Sequence, residues 1–283
     1  MYLVADSGST KTDWRLIGEG REMQHLSTDG INPYYATEQQ ITTTAQSLLE
    51  AGIPRWQISN IVFYGAGCHG AERNARVYNA LSRVFTQADV LVYNDLTAAA
   101  RATCGTEAGI ACILGTGSNS GLYNGHDIED TIPNLGFYAG DEGSGSHLGK
   151  KLLRGYFYRE FPKGVQAAFE AAYPEGRDEI MNRMYNSRRP NVYLASFATF
   201  MTFQQHMPYI RELVAESFEE FLRRNVSKYE GSDRLPVHFV GSVGSAFKEV
   251  LEEACKAAGI RLGQVVRKPI ELLVEYHLQQ GVR

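Results

Sequence analysis

Short apolar runs broken by clusters of small polar residues mark the early part of this chain. Residues Tyr2 to Ala5 are apolar, Asp6-Ser7-Gly8-Ser9-Thr10-Lys11 are small or polar, and Thr12 to Ile17 are largely apolar again. That pattern predicts strand, tight turn, strand. From Tyr34 to Ala51 the period changes: Ile41, Ala45, Leu48 and Leu49 recur at helical spacing, and Gly52 offers a stop, so a helix is expected. Ile61 to Tyr64 predicts a buried strand before Gly65-Ala66-Gly67, and a helix is expected from about Arg73 to Phe85. Val90 to Tyr93 predicts another strand, which runs into Asn94-Asp95 and an alanine-rich helix near Thr97 to Thr103. Strands alternating with helices predict an α/β layer fold.

The pattern then restarts. Gly109 to Leu114 is apolar, Gly115-Thr116-Gly117-Ser118-Asn119 reads as a turn, and Ser120 to Asn124 as a returning strand. Thr116-Gly117-Ser118 repeats the chemistry of Ser7-Gly8-Ser9, which points to an internal duplication; two units are not a solenoid. From Ser146 to about Val226 the spacing is mostly helical, as in Leu152, Leu153, Tyr156 and Phe157. Val237 to Val240 predicts one more strand leading into Gly241-Ser242-Val243-Gly244-Ser245, then a helix from Ala246 to Ala258 with Gly259 at its end. Pro269 opens a final helix to about Gln279.

Composition narrows the classes. The 283 residues are 43% hydrophobic and 21% charged, which suits a soluble globular protein rather than a disordered or coiled-coil one. Basic residues number 28 against 32 acidic, for a net charge of −4, so the phosphate-neutralising surface that nucleic-acid binding needs is not expected. Cys68, Cys104, Cys112 and Cys255 are scattered without a C-x-x-C pair, so the expectation is four reduced, mostly buried thiols rather than a metal site or a disulfide framework. The beginning, MYLVADSGSTKTDW, lacks a basic segment followed by an apolar core, and no stretch reaches the roughly 18 apolar residues of a membrane span. The expected location is the cytoplasm, with no membrane partner.

Three Gly/Ser/Thr-rich turns each follow a strand: Ser7 to Lys11, Gly115 to Asn119 and Gly241 to Ser245. Glycine lets backbone N–H groups close around an anion, and the hydroxyls add donors. The G-x-x-x-x-G-K-[ST] and G-x-G-x-x-G patterns do not occur at these turns, so the P-loop and Rossmann readings lose ground. The candidate carboxylates are Asp6 beside the first turn, Asp95 between a strand and a helix, and Asp141 and Glu142 in Gly140-Asp141-Glu142-Gly143-Ser144-Gly145 just before a helix. Each has a structural reading as a helix cap and a chemical one, at the carboxyl edge of a strand, where α/β proteins bind ligands. There a carboxylate accepts a proton from an attacking hydroxyl or helps to hold Mg²⁺. Asp6 is the candidate metal ligand. His69 follows Gly65-Ala66-Gly67-Cys68, and a loop histidine is the plainer reading for it.

Asp6-Ser7-Gly8-Ser9-Thr10-Lys11-Thr12, Gly115-Thr116-Gly117-Ser118-Asn119, Gly140-Asp141-Glu142-Gly143-Ser144-Gly145 and Gly241-Ser242-Val243 together resemble the motifs of the BadF/BadG/BcrA/BcrD ATPase family. This is the branch of the actin-like ATPase superfamily that includes N-acetylglucosamine kinase. The resemblance implies an α/β fold of two duplicated RNase H-like domains with a cleft between them for ATP and Mg²⁺. One domain would span 1–106, joined by a C-terminal helix over 268–283; the other would span 107–267 and carry a helical insertion. Gly8, Thr10, Lys11, Gly115, Thr116 and Gly117 would then bind ATP, with Thr10 and Thr116 on its phosphates and Gly241 and Ser242 near the adenosine. Asp95 matches the proposed general base for the sugar hydroxyl, and Asn32, Ser118, Asn119, Gly136 and Asp141 fall at substrate positions.

Two stretches depart from the kinase pattern: Pro133-Asn134-Leu135-Gly136-Phe137 stands where the kinase has Gly-Gly-Trp-Gly-His, and Pro33 replaces the histidine after Asn32. Both lie where the sugar is expected, so the resemblance carries the nucleotide site further than the sugar. The expected activity is ATP-dependent phosphorylation of a small sugar, N-acetylglucosamine or a related amino sugar, by a chain that the family suggests is a homodimer. The alternatives are an ATPase coupled to a partner protein, as in dehydratase activators with an iron–sulfur cluster, or a sugar or nucleotide sensor without turnover. Cys104 and Cys112 are the nearest cysteine pair, and Cys112 falls inside an apolar strand, a poor place for a cluster ligand.

Overall fold

The computed structural model describes residues 1–8 and 10–281; Ser9 of the first turn and the last two residues of the 268–283 segment lie outside the described residues. The chain divides into two compact units, Met1–Thr106 with Pro269–Arg283, and Glu107–Lys268.

The first unit runs β1 (Tyr2–Ser7), β2 (Lys11–Gly18), β3 (Arg21–Asp29), α1 (Glu38–Glu50), β4 (Asn60–Gly65), α2 (Ala71–Val84), β5 (Asp89–Asn94) and α3 (Asp95–Cys104). Its sheet has the order β3-β2-β1-β4-β5, with antiparallel hairpins on one side and parallel β1, β4 and β5 on the other. Successive strand residues point to opposite faces, so Leu3, Ala5, Ile61 and Phe63 enter one core with α1 and α2, and Val4, Val62 and Tyr64 enter another. Burial on both faces explains why β1 and β4 read as continuous apolar runs.

The second unit repeats this plan: β6 (Gly109–Leu114), β7 (Ser118–Tyr123), β8 (Ile128–Asp130), α4 (Gly136–Ala139), α5 (Gly145–Phe157), α6 (Lys163–Ala172), α7 (Gly176–Asn186), α8 (Pro190–Phe203), α9 (Pro208–Arg224), β9 (Val237–Val240), α10 (Ser242–Ala246), α11 (Lys248–Ala257) and β10 (Leu262–Val266). Its sheet order is β10-β9-β6-β7-β8, so a hairpin pair followed by two parallel strands recurs in the same sequence of connections. The duplication read from two turns is thus present in the topology of both sheets. The helices α4 to α9 occupy the connection that α1 alone fills in the first unit. The closing helix α12 (Ile270–Gln279) sets Ile270, Leu273 and Val274 against Val4, Ile17, Val62 and Ala98 of the first unit. Among the described residues no helix is long and apolar enough to cross a membrane, and all four cysteines are buried and in no disulfide.

Helices α5 and α8 meet through small residues. A Cβ on Gly149 would run into the Leu194 carbonyl oxygen, and one on Gly145 would touch Ala195 Cβ at 3.0 Å. Gly149→Ala is therefore expected to lower stability by roughly 1–3 kcal/mol, the usual cost of overpacking, as read by denaturant unfolding. Unchanged stability would show that α8 can shift freely.

Several boundaries differ from expectation. The helix expected from Tyr34 starts at Glu38, because Thr37 caps it: its hydroxyl accepts the Gln40 N–H at 3.3 Å while Gln40 returns a bond to the Thr37 N–H at 2.8 Å. Tyr35 and Ala36 instead donate to the Asn32 carbonyl. Asn119 is not in a turn, since β7 pairs from Ser118 and places Asn119 opposite Ile113. The turn read over Gly241 to Ser245 is confined to Gly241, which breaks the strand at φ 132°, and Ser242 begins α10. The edge strand β3, the short β8 and β10 were not anticipated.

Candidate functional site

The carboxyl ends of the parallel strands line up in each sheet. In the first unit Ser7, Gly65 and Asn94 share one rung across β1, β4 and β5. In the second, Ile113, Val240 and Val266 do the same across β6, β9 and β10. Most of the sequence-predicted site residues follow directly on these rungs, at the edge where open α/β sheets take ligands.

In the first unit the β1–β2 hairpin is knitted to the loop after β3. Ser7 Oγ lies 2.7 Å from Thr12 Oγ1, and the Ile31 N–H donates to Ser7 Oγ at 2.9 Å and to Thr12 Oγ1 at 3.2 Å. This fixes Asn32, which is buried, beside the β4 loop: a Cβ on Gly67 (φ 82°) would collide with Asn32 Oδ1, and Ala66 N donates to the Ser7 carbonyl at 2.8 Å. Asn32 Oδ1 also accepts the Tyr34 N–H at 3.0 Å. In the hairpin, Gly8 donates to the Lys11 carbonyl at 2.9 Å, and Thr10 accepts from Gly30 at 3.0 Å; the Thr10 and Lys11 side chains are exposed. Asp6 faces Asp13 across the β1–β2 pair, and Asp13 is held by Lys11 at 2.8 Å and by Ser27 Oγ at 2.9 Å.

Asp95 is the first residue of α3, and it does not cap the helix. Asn94 does, its Oδ1 accepting the Thr97 N–H at 2.8 Å and the Thr97 hydroxyl at 3.0 Å. Asp95 Oδ1 is sealed from solvent with no hydrogen-bond partner. Burial pushes the Asp95 carboxyl above the usual carboxylate range; the charge of His69 and nearby N–H groups act in the opposite direction. His69, read from sequence as a plain loop residue, thus bears on the Asp95 charge, and its own carbonyl is held by Arg73 Nε at 2.7 Å.

The second unit carries two groupings. Gly115, Thr116 and Ser242 share a cavity of about 500 Å³ with Gly145, Ala195, Ala198, Thr199, Thr202, Phe203, Val243, Ser245, Ala246, Phe247 and Arg267. The Gly115–Thr116 turn is bound to the start of α5, its two carbonyls accepting the Gly145 and Ser146 N–H groups at 2.8 and 3.0 Å. Gly241 holds the turn in place from the other side: its N–H donates to the Val266 carbonyl at 2.8 Å, and a Cβ there would collide with Leu114 O. The α8 residues of this cavity lay unread, although Ala195, Ala198, Thr199 and Thr202 form a small-residue stripe at helical spacing.

The other grouping surrounds Asp141, which is buried and holds a left-handed backbone at φ 62°, unusual outside glycine. Its carboxylate accepts the Ser118 N–H at 3.1 Å and the Ser146 hydroxyl at 3.3 Å, and it lies against Gly117 so closely that a Cβ there would stand 3.0 Å from Oδ1. Asn134, within the segment that departs from the kinase pattern, donates to the Ser118 carbonyl and accepts the Gly136 N–H at 2.6 Å. Lys150 Nζ donates to the Phe137 carbonyl at 2.5 Å and closes the far side of α4. Ser118, Asn134, Gly140, Asp141, Glu142 and Arg224 line a cavity of about 180 Å³. The Asn119 side chain is turned to its neighbour, accepting the Ser120 N–H at 2.9 Å.

A 500 Å³ cavity lies within the size range of small-ligand sites, and its mixture of glycine turn, hydroxyls, alanines and one exposed aromatic ring suits a nucleotide. Mg²⁺ is ordinarily held by phosphates and one or two carboxylates, a demand that Asp6 at the hairpin can meet. Among the described residues no group of three or more His, Cys, Asp and Glu is gathered as for a metal bound by protein alone.

Comparison with known proteins gives the family. Neither the models of known protein families nor the curated proteins yielded a match. A crystal structure of a presumed N-acetylglucosamine kinase from Porphyromonas gingivalis is 39% identical, covers 100% of both chains and superposes with a TM-score of 0.94. A presumed N-acetylglucosamine kinase from Chromobacterium violaceum is 19% identical over 97% of this chain and 98% of its own, with a TM-score of 0.75. A non-polymerising mutant of MamK bound to AMPPNP, 12% identical over 100% of this chain and 98% of its own, reaches a TM-score of 0.53. The last two matches show the fold alone, that of the actin-like ATPases. Identity of 39% along the whole of both chains places this chain in the family of the Porphyromonas gingivalis protein.

Proposed function

We propose that the protein is an ATP-dependent sugar kinase acting on N-acetylglucosamine or a closely related amino sugar, with Asp95 as general base. The observation that carries the reading is the Asp95 carboxylate, at the carboxyl edge of a parallel sheet, with one oxygen enclosed and uncommitted, in a chain of this family. ATP supplies the phosphoryl group, and Mg²⁺ neutralises charge on its phosphates. The Gly115–Thr116 turn and Ser242 would hold the nucleotide, with the α8 stripe and Phe203 around its base. Thr10 and Lys11 of the first hairpin would also serve the phosphates, and Asp6 the metal. Asn32 would orient the sugar, and Asp141 would keep Ser118 and Gly117 in place for the same task. Asp95 would accept the proton of the attacking hydroxyl, its burial keeping the carboxylate basic enough for that transfer.

The dehydratase-activator alternative loses support from the cysteines, since Cys104 and Cys112 are 8% and 0% exposed and Cys112 lies within β6. The test is ATP consumption with Mg²⁺ in the presence of N-acetylglucosamine, N-acetylmannosamine, glucosamine, glucose or no sugar. Turnover is expected at least about tenfold faster with one amino sugar than without acceptor, as selective use of binding energy requires. Equal turnover without sugar would overturn the kinase reading in favour of a partner-coupled ATPase.

A further inference from the structure

We infer that Asn94 is the positioning residue for Asp95: by taking the cap of α3 it keeps Oδ1 of the neighbouring carboxylate out of the cap's hydrogen bonds and available to substrate. The inference rests on the kinase reading above. Two adjacent residues at this strand–helix junction, Asn94 and Asp95, are equally good helix caps by residue type. Only one can serve, and the structure gives the duty to Asn94. Its backbone is extended, at φ −80° and ψ 166°, and its Oδ1 takes both the N–H and the hydroxyl of Thr97, at 2.8 and 3.0 Å. Asn94 is also paired to Gly65 at the last rung of β5, so the sheet fixes the frame in which the helix starts. In that frame Asp95 stands in the first helical turn with Oδ1 enclosed and unbonded.

Removing the Asn94 amide leaves the Thr97 N–H without its acceptor. The nearest repair is for α3 to start one residue later, which makes Asp95 the cap and spends its carboxylate on an N–H of the following turn. The helix survives, and the base is withdrawn. Thr97 contributes to the same end, because its second bond to Asn94 fixes the amide's orientation.

The experiment compares Asn94→Ala and Asn94→Ser with the wild type. Asn94→Ala is expected to lower kcat about 30- to 100-fold, the usual effect of a small misplacement of a catalytic group, with both KM values within about threefold. Asn94→Ser, whose hydroxyl caps helices as well, is expected to recover most of that loss. A second readout is independent of turnover: the Asp95 carboxyl, titrated by carbon-13 NMR, should move to lower pKa in Asn94→Ala as it gains N–H donors. The groups facing Asp95 are His69 and Cys68 from the loop after β4, with Arg73 of α2 bonded to the His69 carbonyl, so His69 is followed in the same titration. Retained kcat in Asn94→Ala, or an equal loss in Asn94→Ser, overturns the inference. If the wild type phosphorylates no sugar, the kinase reading fails by itself; the positioning claim is then decided by the titration, and an unmoved Asp95 overturns it.

Discussion

Asp95→Asn is expected to reduce kcat for sugar phosphorylation about 10²- to 10⁴-fold, the range that a single general base supplies, while ATP affinity stays unchanged. Asparagine has nearly the shape of aspartate, fits the same enclosed position and cannot accept the hydroxyl proton at neutral pH. The pH dependence gives the claim a second edge. Burial raises the Asp95 pKa above the ordinary carboxylate value, so the wild-type rate should fall with decreasing pH sooner than for an exposed aspartate, and that limb should be absent from the residual activity of Asp95→Asn. The stability effect has a definite sign as well. A carboxyl whose folded pKa is raised carries its charge at the expense of the fold above its unfolded pKa, and that expense is relieved as pH falls through the folded pKa. A neutral amide removes the burden, so at neutral pH Tm should be equal or higher in the variant. Lost activity with a lower Tm would point to a structural role, and full activity would remove Asp95 from the mechanism.

The fold was legible where burial on both faces of a sheet makes a strand apolar throughout, as in Tyr2 to Ala5 and Ile61 to Tyr64, each packed by helices above and below. It was illegible at β3, where Arg21–Asp29 forms an edge paired only to β2 and carries polar side chains along its length. The candidate site divides in the same way. Turns of small residues announce themselves where backbone geometry restricts what can stand there, as at Gly241. The α8 wall of the large cavity offers only alanine and threonine, which elsewhere mean close helix packing, and α8 is also packed closely on Gly145 and Gly149. His69 carried only a weak signal, its place after Gly65-Ala66-Gly67-Cys68, since its relation to Asp95 comes from the loop after β4 and the start of α3, which the parallel pairing of β4 and β5 brings together.

Gly241→Ala should produce the largest loss of stability among single substitutions at the site. The backbone there, φ 132° and ψ 162°, lies in a region that is essentially glycine's alone, at a strain of order 1–3 kcal/mol for other residues. Space is refused as well: the added methyl would collide with the carbonyl of Leu114 and stand 3.1 Å from Gly115 N, all of it backbone that no side-chain rotation can clear. Overpacking of this kind costs a further 1–3 kcal/mol, so a total near 3 kcal/mol or more is expected in urea unfolding. Relief must come by pushing the Leu114–Gly115 peptide away from β9, which displaces the turn that lines the 500 Å³ cavity. Affinity for a fluorescent ATP analogue should therefore fall at least about tenfold in the fraction that remains folded, a displacement cost of ~1.4 kcal/mol. Gly8→Ala is the control, because a methyl on Gly8 meets only Lys11 O at 3.7 Å and its φ is an ordinary one; its stability should stay within about 0.5 kcal/mol of the wild type. Undiminished nucleotide affinity in folded Gly241→Ala would move the nucleotide out of this cavity, and undiminished stability would mean that this stretch yields more readily than the bonds that hold Gly115, its N–H to the Gly117 carbonyl and its carbonyl to the Gly145 N–H, allow.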